Sequence, residues 1–169
     1  ILEPTSLHVI ASEKGVLWYR VTTHGRSAHG SLPHLGDNAI QRMARALTRL
    51  EPYSRPRDVL TDLTVNAGQI QGGVAPNVVA DACRVDLDCR HPPSVSKADV
   101  EPILRTAFRE PGGDVTFELI HEVPAAGVAF DAPHVRALQA IAGTEVRGVT
   151  YATEMAWYAA HNPRCGGFG

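Results

Sequence analysis

The sequence predicts an α+β fold, a four-stranded antiparallel sheet with two helices on one of its faces. Three observations lead there. Residues 83–90 alternate strictly between apolar and charged side chains, as a strand buried on one face must. Residues 40–50 repeat apolar side chains at three- and four-residue steps, the period of an amphipathic helix. Between residues 15 and 120 the order of elements is strand, helix, strand, strand, helix, strand, the split βαβ arrangement of ferredoxin-like domains.

Each element has its own reason. "GVLWYRVTTHG" (15–25) is rich in β-branched and aromatic residues and bounded by glycines, which predicts a strand. Asp37 is placed to cap the following helix, which runs to about Leu50 with Ile40, Met43, Leu47 and Leu50 along one face. "PYSRPRD" breaks the chain, and residues 59–73 form the next strand, leading through glycines into "APNVVADACRVDLDCR". There Cys83, Val85, Leu87 and Cys89 face the core, while Arg84, Asp86, Asp88 and Arg90 face away. Ser96 or Asp99 caps a second helix, with Pro102 in or near its first turn, where a missing N–H matters least. "GGDVTFELI" (112–120) is the fourth strand. A short helix follows Asp131 and another starts at Thr153. Residues 1–12 and 124–169 stand outside the βαββαβ unit and are expected to belong to a second domain, into which residues 13–123 are inserted.

A chain of 169 residues buries roughly 70% of the surface its unfolded form exposes, enough for one core or two small ones. With 44% hydrophobic and 20% charged residues and a formal net charge of −2, it offers no basic stripe for phosphates, which argues against nucleic acid as a partner. No apolar run approaches the ~20 residues that span a bilayer, so no membrane association is expected. Cys83 and Cys89 lie six apart on one strand, about 20 Å at ~3.3 Å per residue, too far to bridge. With Cys165 they point to free thiols and a reducing cytoplasm. The sequence starts without Met and stops on "CGGFG", so it reads as part of a longer protein.

The most conspicuous stretch is "HGRSAHGSLPHLGDNAI", with His24, His29 and His34 at intervals of five and Asp37 behind them. Metal ligands on a helix or strand recur at i, i+4 or i, i+2, and a spacing of five meets neither. His24 and His34 are expected to be solvent-facing. His29 differs, because the small residues of "SAHGS" let a ligand approach its ring.

Four ordered stretches now stand together: "ILEPTS", "KGVLWYRVTTHGRSAHGSLPHLGDNAI", "NAGQIQGGVAPNVVADACRVDLDCR" and "YATEM". In this order they resemble the acetylornithine deacetylase and succinyl-diaminopimelate desuccinylase family of dinuclear zinc peptidases and amidohydrolases, over nearly the whole chain. The resemblance implies a ferredoxin-like βαββαβ lid, the dimerisation domain, inserted into an α/β zinc-hydrolase catalytic domain of which only pieces are present. It implies a cytoplasmic homodimer that hydrolyses the amide bond of a small N-acyl amino acid or peptide with two zinc ions, for which cobalt or manganese can substitute. By the same resemblance Glu3 is a metal ligand and His29 reaches across the dimer to polarise the scissile carbonyl. Asn77 and Arg90 hold the substrate's carboxylate end, and Thr153 contacts substrate.

The chemistry suits these residue types. An imidazole N–H can stabilise an oxyanion, metal ions lower the pKa of a bound water, and a guanidinium forks onto a carboxylate. On the residues alone, plainer roles stand beside these. Glu3 can cap or salt-bridge, Asn77 can serve a turn, Arg90 can pair with its neighbours on a solvated face, Glu154 can favour a helix N-terminus, and Thr153 can cap that helix. The alternative to an amidohydrolase is a dimerisation or binding module that stands alone without chemistry. In relatives the remaining metal ligands and the catalytic base flank this region, and "CGGFG" replaces their usual approach to the last histidine ligand. The chain by itself is therefore expected to be inactive.

Overall fold

The computed structural model describes residues 5–110, 112–159, 161–162 and 165–168. Its larger sheet is built from β2 (Gly15–His24), β3 (Thr64–Gly72), β4 (Ala82–His91) and β5 (Asp114–Val123) in the spatial order β3-β4-β2-β5, every neighbour antiparallel. Helices α1 (Ala39–Leu50) and α2 (Lys97–Ala107) complete the βαββαβ unit, as expected. The register brings Leu17 opposite Cys89, Tyr19 opposite Leu87 and Val21 opposite Val85, so one continuous apolar face forms. On it pack Met43, Ala46 and Leu50 of α1 and Val100, Leu104 and Ala107 of α2. Among these, Met43, Leu50, Val100 and Leu104 each contribute about 1.5 to 3 kcal/mol on burial. The other face carries Trp18, Arg20, Arg84, Asp86, Asp88 and Arg90, and among the described residues no helix packs over it.

Three local expectations change. The cap of α1 is Asn38, whose side chain accepts from the N–H groups of Ile40 and Gln41. Asp37, one residue too early to reach those donors, pairs with Arg42 instead. The buried stripe of α1 is Ala39, Met43, Ala46 and Leu50, and Ile40 turns outward, 41% exposed, against Gly72 and Gly73. Pro102 stands inside α2, because a capping box between Ser96 and Asp99 starts that helix at Lys97. The Pro102 ring therefore removes one ladder hydrogen bond mid-helix. The strand expected at 59–73 begins only at Thr64.

A smaller sheet, not anticipated strand by strand, gathers the flanks. Its centre is β1 (Val9–Glu13), parallel to β7 (Val146–Val149) and antiparallel to β6 (Ala126–Gly127) and β8 (Gly167–Phe168). Helices α3 (Pro133–Ala142) and α4 (Met155–Ala159) accompany it. Val135 of α3 is buried with Val9 and Ala11, and Met155 of α4 with Ile10. The chain passes from the smaller sheet to the larger at Lys14 and back after Val123. The larger sheet thus has a crossover end, where β2 and β3 begin and β4 and β5 finish, and an opposite rim. Among the described residues no helix is long and apolar enough to cross a membrane.

Candidate functional site

The rim is built by main chain. The loop after β2 and the loop before β4 are laced together: Gly25 N–H donates to Asp81 O at 2.7 Å, Gly30 N–H to Asn77 O at 2.7 Å, and Val79 N–H to Ala28 O at 2.9 Å. His29 bridges Val78. The contact is close enough that a Cβ on Gly30 would lie 2.9 Å from the Asn77 carbonyl, so glycine is what lets the loops meet. His29 and Asn77, far apart in sequence, are therefore neighbours with exposed side chains.

The His29 ring has a defined tautomer. Its Nδ1 lies 3.2 Å from the Ser31 backbone N–H and 2.7 Å from Ser31 Oγ. A backbone N–H can only donate, so Nδ1 is the acceptor and a neutral ring carries its proton on Nε2. No hydrogen bond among the described residues engages Nε2. An exposed N–H, aimed by its neighbours, is what carbonyl polarisation requires.

The other histidines of the stretch do not join it. His24 Nε2 meets Thr116 Oγ1 at 2.9 Å, His34 sits in a short 3-10 turn (Pro33–Leu35), and hydrogen bonds from Arg42 hold the Asp37 carboxyl below its usual range. Behind the rim, Glu110 receives both nitrogens of an Arg45 fork at 2.8 Å and an Arg49 bond at 3.1 Å. The Arg45 hydrogen bonds lead in pulling its pKa down to about 2, against the opposing effect of burial.

Arg90 lies at the crossover end, paired across the sheet with Val16 and Thr64. Eight steps along β4 separate it from Ala82 at the rim, about 26 Å at ~3.3 Å per residue. One chain therefore does not bring Arg90 to His29 and Asn77. Arg90 is gripped by Asp88, Nε to Oδ1 at 2.7 Å and Nη2 to Oδ2 at 3.0 Å. Nearby Lys14 is 2% exposed and donates to the carbonyls of Val59 and Asp62 at 3.0 and 2.6 Å. Burial lowers its pKa, Asp62 opposes that, and the Arg90 charge adds to it.

Thr153 is fully engaged. Its hydroxyl donates to Glu13 Oε2 at 2.6 Å and accepts from Met155 N–H at 3.0 Å, while its own N–H reaches the same Glu13 oxygen at 2.9 Å. Thr153 thus ties α4 to the buried end of β1. Glu3 lies outside the described residues. Among the described residues no group of three or more His, Cys, Asp or Glu is arranged to hold a metal ion.

Sequence reasoning missed two participants: Ser31, two residues from His29, sets the tautomer, and Glu13 anchors Thr153. It anticipated that Arg90 can pair with a neighbour on its own face, and the structure singles out Asp88. The charged pair "EK" closing the apolar run "VIAS" was the available signal for Glu13. The i, i+2 spacing on one strand face was the signal for Asp88.

Comparison with known proteins agrees with this architecture. Residues 11–116 match the family described as the peptidase dimerisation domain, M20_dimer. The acetylornithine deacetylase of Vibrio vulnificus is 31% identical over 165 residues, covering 90% of this chain and 44% of that protein. The enzyme of the same name from Proteus mirabilis is 31% identical over 166 residues, covering 90% of this chain and 43% of that protein. The chain thus spans less than half the length of these curated relatives. Among solved structures, aminopeptidase PepT from Bacillus cereus superposes with a TM-score of 0.73 at 21% identity, covering 96% of this chain and 45% of that one. A tripeptidase from Staphylococcus aureus gives 0.72 at 21%, with the same coverage; both show the fold alone. With β2, α1, β3, β4, α2 and the start of β5 inside the matched region, this chain belongs to the M20 peptidase dimerisation domain family, alongside the acetylornithine deacetylases.

Proposed function

We propose that the whole protein carrying this chain is a metal-dependent hydrolase that cleaves the amide bond of N-acyl amino acids, and that it acts as a homodimer in which each site draws residues from both lids. The observation that carries this reading is the separation along β4. His29 and Asn77 share the rim, and Arg90 stands toward the other end of β4, eight steps from Ala82, about 26 Å at ~3.3 Å per residue. Strand β3 is an edge of its sheet and is exposed from Asn66 to Gly72. Its unpaired N–H and C=O groups favour pairing with a copy. If two β3 strands pair antiparallel across a two-fold axis, Gly72 of one subunit approaches Thr64 of the other. That brings the rim of one lid toward the crossover end of its mate. His29 then polarises the scissile carbonyl, with Asn77 beside it, while Arg90 of the other subunit holds the substrate's carboxylate. Thr153, held by Glu13, shapes the wall contributed by the flanking pieces.

The division at 12/13 and 123/124 into an inserted lid and two pieces of a catalytic domain belongs to this reading. It is supported by the two sheets, which share no strand and are joined by two crossings. The described residues do not fit the two zinc ions that the resemblance implies. Glu3 and residues outside this chain would have to hold them, so no step is derived through the metal. Cytoplasmic localisation fits the free, buried thiols of Cys83 and Cys89. Burial pushes the Cys89 thiol up to about 12.

Mixed dimers test the arrangement. Whole protein carrying His29→Ala loses about 10²- to 10³-fold in rate, and Arg90→Ala is severely impaired on carboxylate substrates. Co-refolding the two should restore about a quarter of wild-type activity, since half the dimers are mixed and each has one intact site. No recovery means that the residues act within one subunit.

A further inference from the structure

We propose that Asp88 is the positioning residue for Arg90: by occupying one edge of the guanidinium it turns the other edge toward the substrate's carboxylate. The inference rests on the reading of Arg90 as the carboxylate holder. A guanidinium offers two forks, the side formed by Nε–H with one Nη and the end formed by both Nη groups. Asp88 takes the side fork with both of its oxygens, at 2.7 and 3.0 Å. No hydrogen bond among the described residues engages Nη1. The end fork is therefore open, and it is the geometry that accepts a second carboxylate with two parallel bonds.

The surroundings leave room for a second carboxylate there. Arg90 and Asp88 are 28% and 32% exposed, on the helix-free face beside a cavity of about 330 Å3 lined by Trp18, Asn66, Asp88 and Ile120 among others. Asp88 neutralises one unit of charge at Arg90 but leaves the Nη1 group and the outer Nη2 hydrogen unpaired among the described residues. A long, flexible arginine held in one rotamer before substrate arrives loses less entropy on binding. As a surface ion pair the contact adds little to stability, which separates its positioning role from a merely structural one.

The test uses the whole protein and two substrates, an N-acetyl amino acid and its C-terminal carboxamide. Immobilising one such side chain corresponds to about a three- to tenfold effect on binding. Asp88→Ala should therefore raise KM for the carboxylate substrate by that factor, leave kcat within about twofold, and leave KM for the carboxamide unchanged. Asp88→Asn, which keeps the volume and one acceptor, should fall between and covers the case in which Asp88→Ala fails to fold. In an Arg90→Ala background neither change should have any further effect. A lower KM in Asp88→Ala would mean that Asp88 competes with substrate for the guanidinium and would overturn the proposal, as would equal effects on both substrates or full additivity with Arg90→Ala. If Arg90→Ala alone leaves the carboxylate KM unchanged, or no N-acyl amino acid is hydrolysed, the reading of Arg90 fails and this inference with it. If Arg90 matters and Asp88 does not, this inference alone fails.

Discussion

At the rim His29 and Asn77 are held by backbone hydrogen bonds between two loops, whereas at the crossover end Arg90 is held by the side chain of Asp88. The difference teaches where each function is vulnerable. Main-chain lacing tolerates side-chain replacement around His29 but not an added Cβ at its glycines. A side-chain clamp tolerates backbone adjustment but fails when one carboxylate is removed.

The rim is most vulnerable at Gly25. A Cβ there would meet the Asp37 carbonyl oxygen at 2.1 Å, and backbone cannot swing aside as a flexible side chain does. Gly25→Ala should lower unfolding stability by about 2 to 3 kcal/mol, in the range of overpacking, measured by urea titration. NMR shifts around Arg90 should stay unchanged. Shifts at both ends would mean that the two are not independent.

A smaller effect belongs to Glu110, which braces the rim from behind. Its folded pKa of about 2 lies below the ordinary value of 4.5. The sign follows: the stabilisation is fully present above pH ~4.5 and is lost as pH falls toward ~2. Glu110→Gln should cost on the order of 2 kcal/mol at pH 7, with the gap to wild type closing below pH ~4.5 in denaturant titrations. A gap independent of pH would point to packing rather than charge.

The smallest effect is expected at Ser31. Ser31→Ala removes the hydroxyl facing Nδ1 but leaves the backbone N–H that fixes the tautomer. Stability and the activation free energy of the whole protein should each stay within about 0.5 kcal/mol of wild type. A larger loss of activity would show that the hydroxyl, and not the main chain, sets the ring.

Much of the fold was legible because it is periodic. The alternation at Cys83, Val85, Leu87 and Cys89 marked the buried face of β4, and the helical repeat marked α1. Local competition was not legible. Asn38 and Asp37 are equally good caps by type, and only the actual start of α1 selects Asn38. Pro102 fell inside α2 because the capping box set the start earlier. The strands of the smaller sheet are short, two to five residues, too brief for a period to emerge, and their pairing partners lie more than a hundred residues apart.

For the candidate site, the small neighbours of His29 marked that ring as approachable, while Asn77, Arg90 and Thr153 were named only through the resemblance to a family, since on residue type alone each has a plainer role. The sequence also determined which residues of β4 face the core, because a period of two leaves a strand only two faces; for α1 the fold decided, turning Ile40 outward. Proximity was decided by tertiary structure alone. Hydrogen bonds between distant loops put Asn77 beside His29, the length of β4 put Arg90 out of their reach, and the choice of partner fell to Ser31, Asp88 and Glu13. A side chain's pairing depends on which groups the folded backbone brings within about 3 Å, and that distance is a property of the fold rather than of any local stretch.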